Sequence, residues 1–178
     1  MDFYSRLFAG QSSRGGSVGD ELFKLVVSGN LTVITEEMLD GITSIGSTVF
    51  YRYGSLTSVD IPDSVTSIGE YAFNVCTSLT SVDIPDSVTS IGGYAFASCD
   101  SLPSVTIPNS VTSIGNFAFS NCKKLESVTM LRTTPPTLGT NAFYGTHSRL
   151  KIYVPSGSVN AYKGATNWKS YASKIYAI

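Results

Sequence analysis

A step of 23 residues constrains this chain more than any other feature of its sequence. Leu56, Leu79, Leu102 and Leu125 recur at that step. So do Ile45, Ile68, Ile91 and Ile114, then Phe50, Phe73, Phe96 and Phe119, and finally Cys76, Cys99 and Cys122. Self-similarity at a fixed period of this size marks a stack of like units. One unit cannot stand alone. Its large apolar groups (Val82, Ile84, Val88, Ile91, Phe96 and Leu102 in the second copy) each contribute roughly 1.5–3 kcal/mol when buried. Fixing the backbone costs about 1–2 kcal/mol for every residue of the unit. Only when each coil hides the open face of the next does the sum turn favourable, so a one-dimensional solenoid follows.

The path of one coil can be read from its residues. Val82 and Ile84 alternate with Ser81 and Asp83, the period of a half-buried strand. Pro85 ends that strand, Asp86 and Ser87 supply turn chemistry, and Val88–Ile91 is a second short extended run. Gly92 and Gly93 are expected to bend the chain through positive φ. The stretch 94–99 is expected to form one helical or 3-10 turn with Ala95, Phe96 and Cys99 inside. Successive coils then place their strands about 4.7–4.9 Å apart, giving two ribbons of parallel strands with a row of short turns between them.

The pattern L-x-x-V-x-I-P-x-S-V-T-S-I-G-x-x-A-F-x-x-C, present in nearly identical copies between Leu56 and Cys122, resembles the BspA-like class of leucine-rich repeats. The likeness covers residues 31–155, with a family-like Val-Pro-x-Gly…Ala-Tyr segment beyond. It implies an α/β, β-dominated leucine-rich-repeat solenoid capped at both ends. It also implies binding rather than catalysis, because such modules belong to bacterial surface proteins implicated in adhesion, at the cell surface or outside the cell. One departure stands out. Where the general leucine-rich pattern carries Asn or Cys, this chain carries Ser64, Ser87 and Ser110.

Taken in order, residues 1–19 form an N-terminal segment and linker, 20–155 the solenoid, and 156–178 a C-terminal cap. Phe3, Tyr4, Leu7 and Phe8 offer an apolar face over 1–9 that suits an anchor on a partner or on another copy of the chain, and Gly10–Gly19 has linker composition. Residues 20–40 read as the N-terminal cap, with 31–34 as a first strand. After Cys122 the signature arrives one residue late at Leu138, since 138 − 114 is 24. Residues 151–155 are the last strand, stopped by Pro155. A helix over 158–173, interrupted near Gly164, brings Tyr162, Trp168, Tyr171, Ile175 and Tyr176 over the final coil. MDFYSRLFAG lacks a cationic start and a long apolar stretch, so either the sequence is mature or a fragment, or export does not use that route.

A net charge of −1 gives no electrostatic case for nucleic acid or an anionic membrane. No apolar run approaches the roughly 18 residues of a membrane span. Catalysis finds little to work with. His147 is the only histidine, no G-x-S-x-G elbow is present, and no cofactor or metal is expected. Asp63 and Asp86 are replaced by Asn109 in the next copy, which serves a turn but not an acid catalyst; Tyr71 and Tyr94 give way to Phe117. The cysteines are too far apart in sequence for a zinc site. In stacked coils they point the same way, and Tyr53 fills their slot one coil earlier, so they are expected to be free, packed thiols.

The candidate site is a polar surface. Strand residues pointing away from the core form two columns on the inner curve: Ser58, Ser81, Ser104 and Ser127, and beside them Asp60, Asp83, Thr106 and Thr129. One end is acidic and the other neutral. The expected partner is a protein or a glycan, recognised without catalysis. An alternative is a structural or assembly protein, such as a virion-associated phage-tail tip, tethered through its N-terminal segment.

Overall fold

The structure, a computed structural model, describes residues 32–178. The segment 1–9, the linker 10–19 and the first part of the expected N-terminal cap lie outside the described residues. Each coil contributes one strand to each of two stacks. The first stack holds β1 (Val33–Ile34), β3 (Ser58–Asp60), β5 (Ser81–Asp83), β7 (Ser104–Ile107), β9 (Ser127–Met130) and β11 (Lys151–Val154). The second holds β2 (Ser44–Ile45), β4 (Ser67–Ile68), β6 (Ser90–Ile91), β8 (Ser113–Ile114) and β10 (Thr137–Leu138), joined without interruption. Every pairing is parallel and in repeat register, as in Ser67↔Ser90 and Ile68↔Ile91. A leucine-rich-repeat solenoid, mostly parallel β with few short helices, is what the period required.

The core is a set of columns. The Leu, Ile, Phe and Cys series named above are all buried. Phe50, Phe73, Phe96 and Phe119 stack at 5.2 Å between ring centroids, and Phe143 continues the stack at 5.7 Å. Serine replaces the asparagine of other leucine-rich repeats. The hydroxyls of Ser64, Ser87 and Ser110 donate to the carbonyls of Ile42, Val65 and Val88 at 2.6–2.7 Å, each bridging one coil to the coil before it. The thiols of Cys76, Cys99 and Cys122 are free, and they donate to the carbonyls of Phe50, Phe73 and Phe96 at 3.1–3.3 Å.

The short turn carries a third ladder. Within it, Asn74 N–H donates to Tyr71 and Cys76 N–H to Phe73, three residues back. The intervening amides of Tyr71, Phe73 and Val75 point outward to the carbonyls of Gly93, Ala95 and Ala97 in the next coil, at 2.8–2.9 Å. This alternation needs left-handed backbone at both ends of the turn, and here the expectation for the glycines is corrected. Positive φ belongs to Tyr71 and Val75, Tyr94 and Ser98, Phe117 and Asn121, not to Gly92 or Gly93. Each such residue costs roughly 1–2 kcal/mol, offset by the inter-coil bonds it permits. The glycine of the repeat serves close approach instead: a Cβ on Gly92 would lie 2.6 Å from the Glu70 nitrogen and from the Gly69 carbonyl carbon.

The C-terminal end closes the core with less helix and more sheet than 158–173 suggested. A 3-10 turn (Ser156–Ser158) leads into the short helix α1 (Val159–Gly164), and a second 3-10 segment (Trp168–Lys174) into a strand, β12 (Ile175–Ala177). That strand pairs parallel with β11, Ile152 opposite Ile175. Tyr162, Trp168 and Ile175 are buried, whereas Tyr176 lies on the outer face and is exposed. Indole Nε1 of Trp168 donates to the Pro136 carbonyl at 2.8 Å, Asn167 Nδ2 to Leu138 at 2.6 Å, and Phe143 N–H to the Tyr171 hydroxyl at 3.2 Å. The C-terminal segment therefore satisfies backbone groups of the last coil at Pro136, Leu138 and Phe143.

Candidate functional site

Strand alternation decides what the first stack shows to solvent. Val59, Val105 and Val128 point inward, so their neighbours Ser58, Asp60, Ser104, Thr106, Ser127 and Thr129 point out, as do Ser81 and Asp83. None of the eight is buried; Asp60, Ser81, Asp83, Ser104 and Thr106 are the most open. Register aligns them: Ser58↔Ser81 and Asp60↔Asp83 in one sheet, Ser104↔Ser127 and Thr106↔Thr129 in the next. At the start of the ribbon, Thr35, Glu36 and Glu37 join Asp60 and Asp83 around a depression of about 430 Å³. The acidic end is thus more acidic than the columns alone implied.

The columns also run further than Ser127 and Thr129. Lys151 stands opposite Ser127 and Tyr153 opposite Thr129, and Tyr153 is in turn opposite Tyr176. The two tyrosine rings are tilted at 46° with centroids 6.3 Å apart, and the Lys151 ammonium lies 5.6 Å over the Tyr176 ring. One face of the molecule therefore grades from carboxylates, through hydroxyls, to a lysine with two tyrosines. Sequence reasoning missed this end for two reasons. The last coil is one residue longer than the others, so Lys151 and Tyr153 sit at a step of 24 from Ser127 and Thr129. Tyr176, expected only as aromatic cover beyond the helix over 158–173, lies on a strand, β12. A signal was available: Lys151-Ile152-Tyr153-Val154 alternates as the earlier strands do.

Elsewhere the chemistry is sparse. The imidazole of His147 lies 3.5 Å from Glu126, which also pairs with Arg149 at 3.1 Å, and accepts from the Arg149 amide at 3.2 Å. Among the described residues no cluster of His, Cys, Asp or Glu is arranged to hold a metal ion. Burial pushes the Cys76 thiol up to about 12, so it stays protonated, as a hydrogen-bonding core thiol should. Tyr71, Tyr94 and Phe117 stack face to face on the outer side of the turns at 4.8–4.9 Å, which leaves ring edges rather than faces for any partner there.

A family model for the BspA type leucine-rich repeat region matches residues 43–169, in six copies. The chain belongs to that family. Among solved structures, the BspA-type chain is similar to a leucine-rich repeat protein of T. pallidum, at 34% identity and a TM-score of 0.60, over 66% of this chain and 56% of that one. It is also similar to a leucine-rich repeat protein of Bacteroides ovatus, at 27% identity and a TM-score of 0.54, over 82% of this chain and 41% of the other. A pneumococcal vaccine antigen, PcpA, shares the fold at 18% identity and a TM-score of 0.56, over 76% of this chain and 38% of its own. The BspA-type chain spans about half the length of these relatives, or less. No curated protein sequence matches it. No described helix is long and apolar enough to cross a membrane.

Proposed function

We propose that this protein is a non-enzymatic recognition module that holds the face of its first strand stack against a protein or glycan partner, in an adhesive role at a bacterial cell surface. The observation that carries the reading is the face itself: unburied side chains on six strands, in register within each of two sheets and graded from Asp60 and Asp83, through Thr106 and Thr129, to Lys151, Tyr153 and Tyr176. Repeat proteins characteristically bind through such extended surfaces. Tyrosine concentrates binding energy where an aromatic ring and a hydroxyl are both in reach of the partner, so the Tyr153–Tyr176 end is the anchor. The hydroxyl columns contribute complementarity and the carboxylates orientation.

The test uses the full chain, labelled, on an array of glycans and in parallel on a panel of immobilised soluble proteins. Two double variants are compared with the parent: Tyr153→Ser with Tyr176→Ser, and Asp60→Ser with Asp83→Ser. Signal on one class of array, abolished by the tyrosine pair and weakened by the aspartate pair at unchanged thermal stability, supports the reading. Binding that neither pair disturbs places the partner on another face.

A further inference from the structure

The first strand stack is not one ribbon. Its strands form two sheets, β1-β3-β5 and β7-β9-β11-β12, and no ladder joins Ser81–Asp83 to Ser104–Ile107. The break coincides with a change at a single residue. Thr57 and Thr80 each tie their strand to the coil before: Thr57 N–H to the Thr32 carbonyl at 2.6 Å, Thr80 N–H to the Thr57 carbonyl at 2.8 Å, with both hydroxyls donating to the same acceptors at 2.7 and 3.0 Å. Glu126 repeats the amide bond, to the Pro103 carbonyl at 2.9 Å. Pro103 occupies this position in the third copy. It has neither an amide hydrogen nor a hydroxyl, so the Thr80 carbonyl loses both donors at once. Val82, beside the gap, is only half-buried, while Val59, Val105 and Val128 are fully inside.

The gap coincides with a change in chemistry. Glu36, Glu37, Asp60 and Asp83 lie before it, on or beside β1, β3 and β5; Thr106, Thr129, Lys151 and both tyrosines lie after it, where the one carboxylate beside the strands, Glu126, is paired with Arg149. The strands lengthen across it as well, from three residues in β5 to four in β7. On the opposite side of the same coils nothing is interrupted. Ser67, Ser90 and Ser113 remain paired, Phe73, Phe96 and Phe119 remain stacked, and the turn amides of Tyr71 and Tyr94 reach Gly93 and Asn116 at 2.9 Å.

We infer that Pro103 makes a seam in the recognition face, about which the acidic half and the hydroxyl–tyrosine half swing while the β4–β6–β8 stack acts as the spine. The inference rests on that face being the recognition surface only for its purpose; the seam itself is a property of the backbone. A partner wider than one sheet would meet two sub-faces whose relative tilt adjusts, rather than one rigid plane.

Amide hydrogen exchange on the full chain tests this, together with the Pro103→Thr variant, which restores the residue found in the two preceding coils. In the parent, the amides of Ser104 and Thr106 should exchange at least tenfold faster than those of Ser127 and Thr129, which hold the same places one coil later. In Pro103→Thr that difference should fall to within about threefold, and the melting temperature should rise. Equal exchange at the two strands in the parent overturns the seam. So does a variant that folds but keeps the fast exchange. Neither readout involves a partner, so failure here leaves the recognition reading standing, and failure of the array experiment leaves the seam standing.

Discussion

Two adjacent glycines should respond to the same substitution with opposite sign. An added Cβ at Gly92 meets the backbone of the preceding coil, 2.6 Å from the Glu70 nitrogen and the Gly69 carbonyl carbon. At Gly93 it meets the Asn116 carbonyl oxygen at 3.4 Å and the Glu70 carboxylate at 3.7 Å, ordinary contacts. Neither glycine has positive φ, so alanine brings no backbone strain at either site. Non-bonded contacts are comfortable from about 3.5 Å, so Gly92→Ala asks two coils to part by roughly 0.9 Å (3.5 − 2.6). No flexible side chain can absorb that. The parting strains the Gly92 N–H bond to the Ile68 carbonyl, now 2.8 Å, and the Phe73–Phe96 stack. Overpacking of this kind costs about 1–3 kcal/mol, and the entropy gained from losing a glycine returns only about 0.4–1 kcal/mol. The expected net loss is therefore about 1.3 kcal/mol, a fall of roughly 3–5 °C in melting temperature for a domain of this size. Gly93→Ala should keep the entropic gain alone, raising the melting temperature by about 1–4 °C. Thermal and urea unfolding of the two single variants, followed by circular dichroism, measures both. Equal shifts, or a stabilising Gly92→Ala, would refute close coil approach as the reason for the repeat's glycine.

Other outcomes follow from the ladders. Ser87→Ala removes the 2.6 Å bond to the Val65 carbonyl and should cost about 1–2 kcal/mol in urea unfolding; a neutral result would mean the serine ladder only fills space. Three thiols should titrate after denaturation without reductant, and none at a comparable rate in the folded protein, because Cys76, Cys99 and Cys122 are buried and free. Alkali should unfold the protein through Cys76 and Tyr162. Burial raises the Cys76 thiol from 9.0 to about 12 and the Tyr162 hydroxyl from 10.0 to about 12, so the unfolded chain gives up its protons first. Stability from these groups is complete below pH 9 and is lost as pH rises toward 12; Cys76 alone accounts for on the order of 4 kcal/mol across that window. A Cys76→Ala variant whose unfolding keeps the same alkaline dependence would refute that assignment.

What the sequence made legible is what repetition amplifies. A leucine, isoleucine or phenylalanine that returns in every coil must face the core, and all of them do. Serine at 64, 87 and 110 was visible as a departure from asparagine, though its bond to the preceding coil needed coordinates to see. Single exceptions were harder. Pro103 looks like tolerated variation within LxSV until its missing donors are set beside those of Thr57, Thr80 and Glu126. The left-handed turn residues were hidden by their identity, since tyrosine and valine rarely adopt positive φ, and neighbouring glycines offered an easier explanation. The tyrosine end of the candidate face lay beyond a one-residue insertion that shifts the register by which the columns were traced.

The turn ladder also gives the solenoid an electrical direction. Phe50 N–H reaches the carbonyl of Ala72, whose own peptide carries the N–H of Phe73; that reaches Ala95, then Phe96 reaches Ala118, and Phe119 reaches Ala142. These peptides are joined head to tail as they are inside an α-helix, but each link comes from a different coil. Two further files run beside it, through Tyr71 and Tyr94 and through Val75 and Ser98, with the same polarity. Dipoles of about 3.5 D per peptide add along such a file, and hydrogen bonds in series polarise one another. The positive end of the central file is Phe143 N–H, received by the lone pair of the Tyr171 hydroxyl; the negative end is the carbonyl side of the first coil. Two copies meeting at their first coils would bring carbonyls against carbonyls. The described coils are thus all stacked head to tail, with the inter-coil amides of each turn pointing the same way.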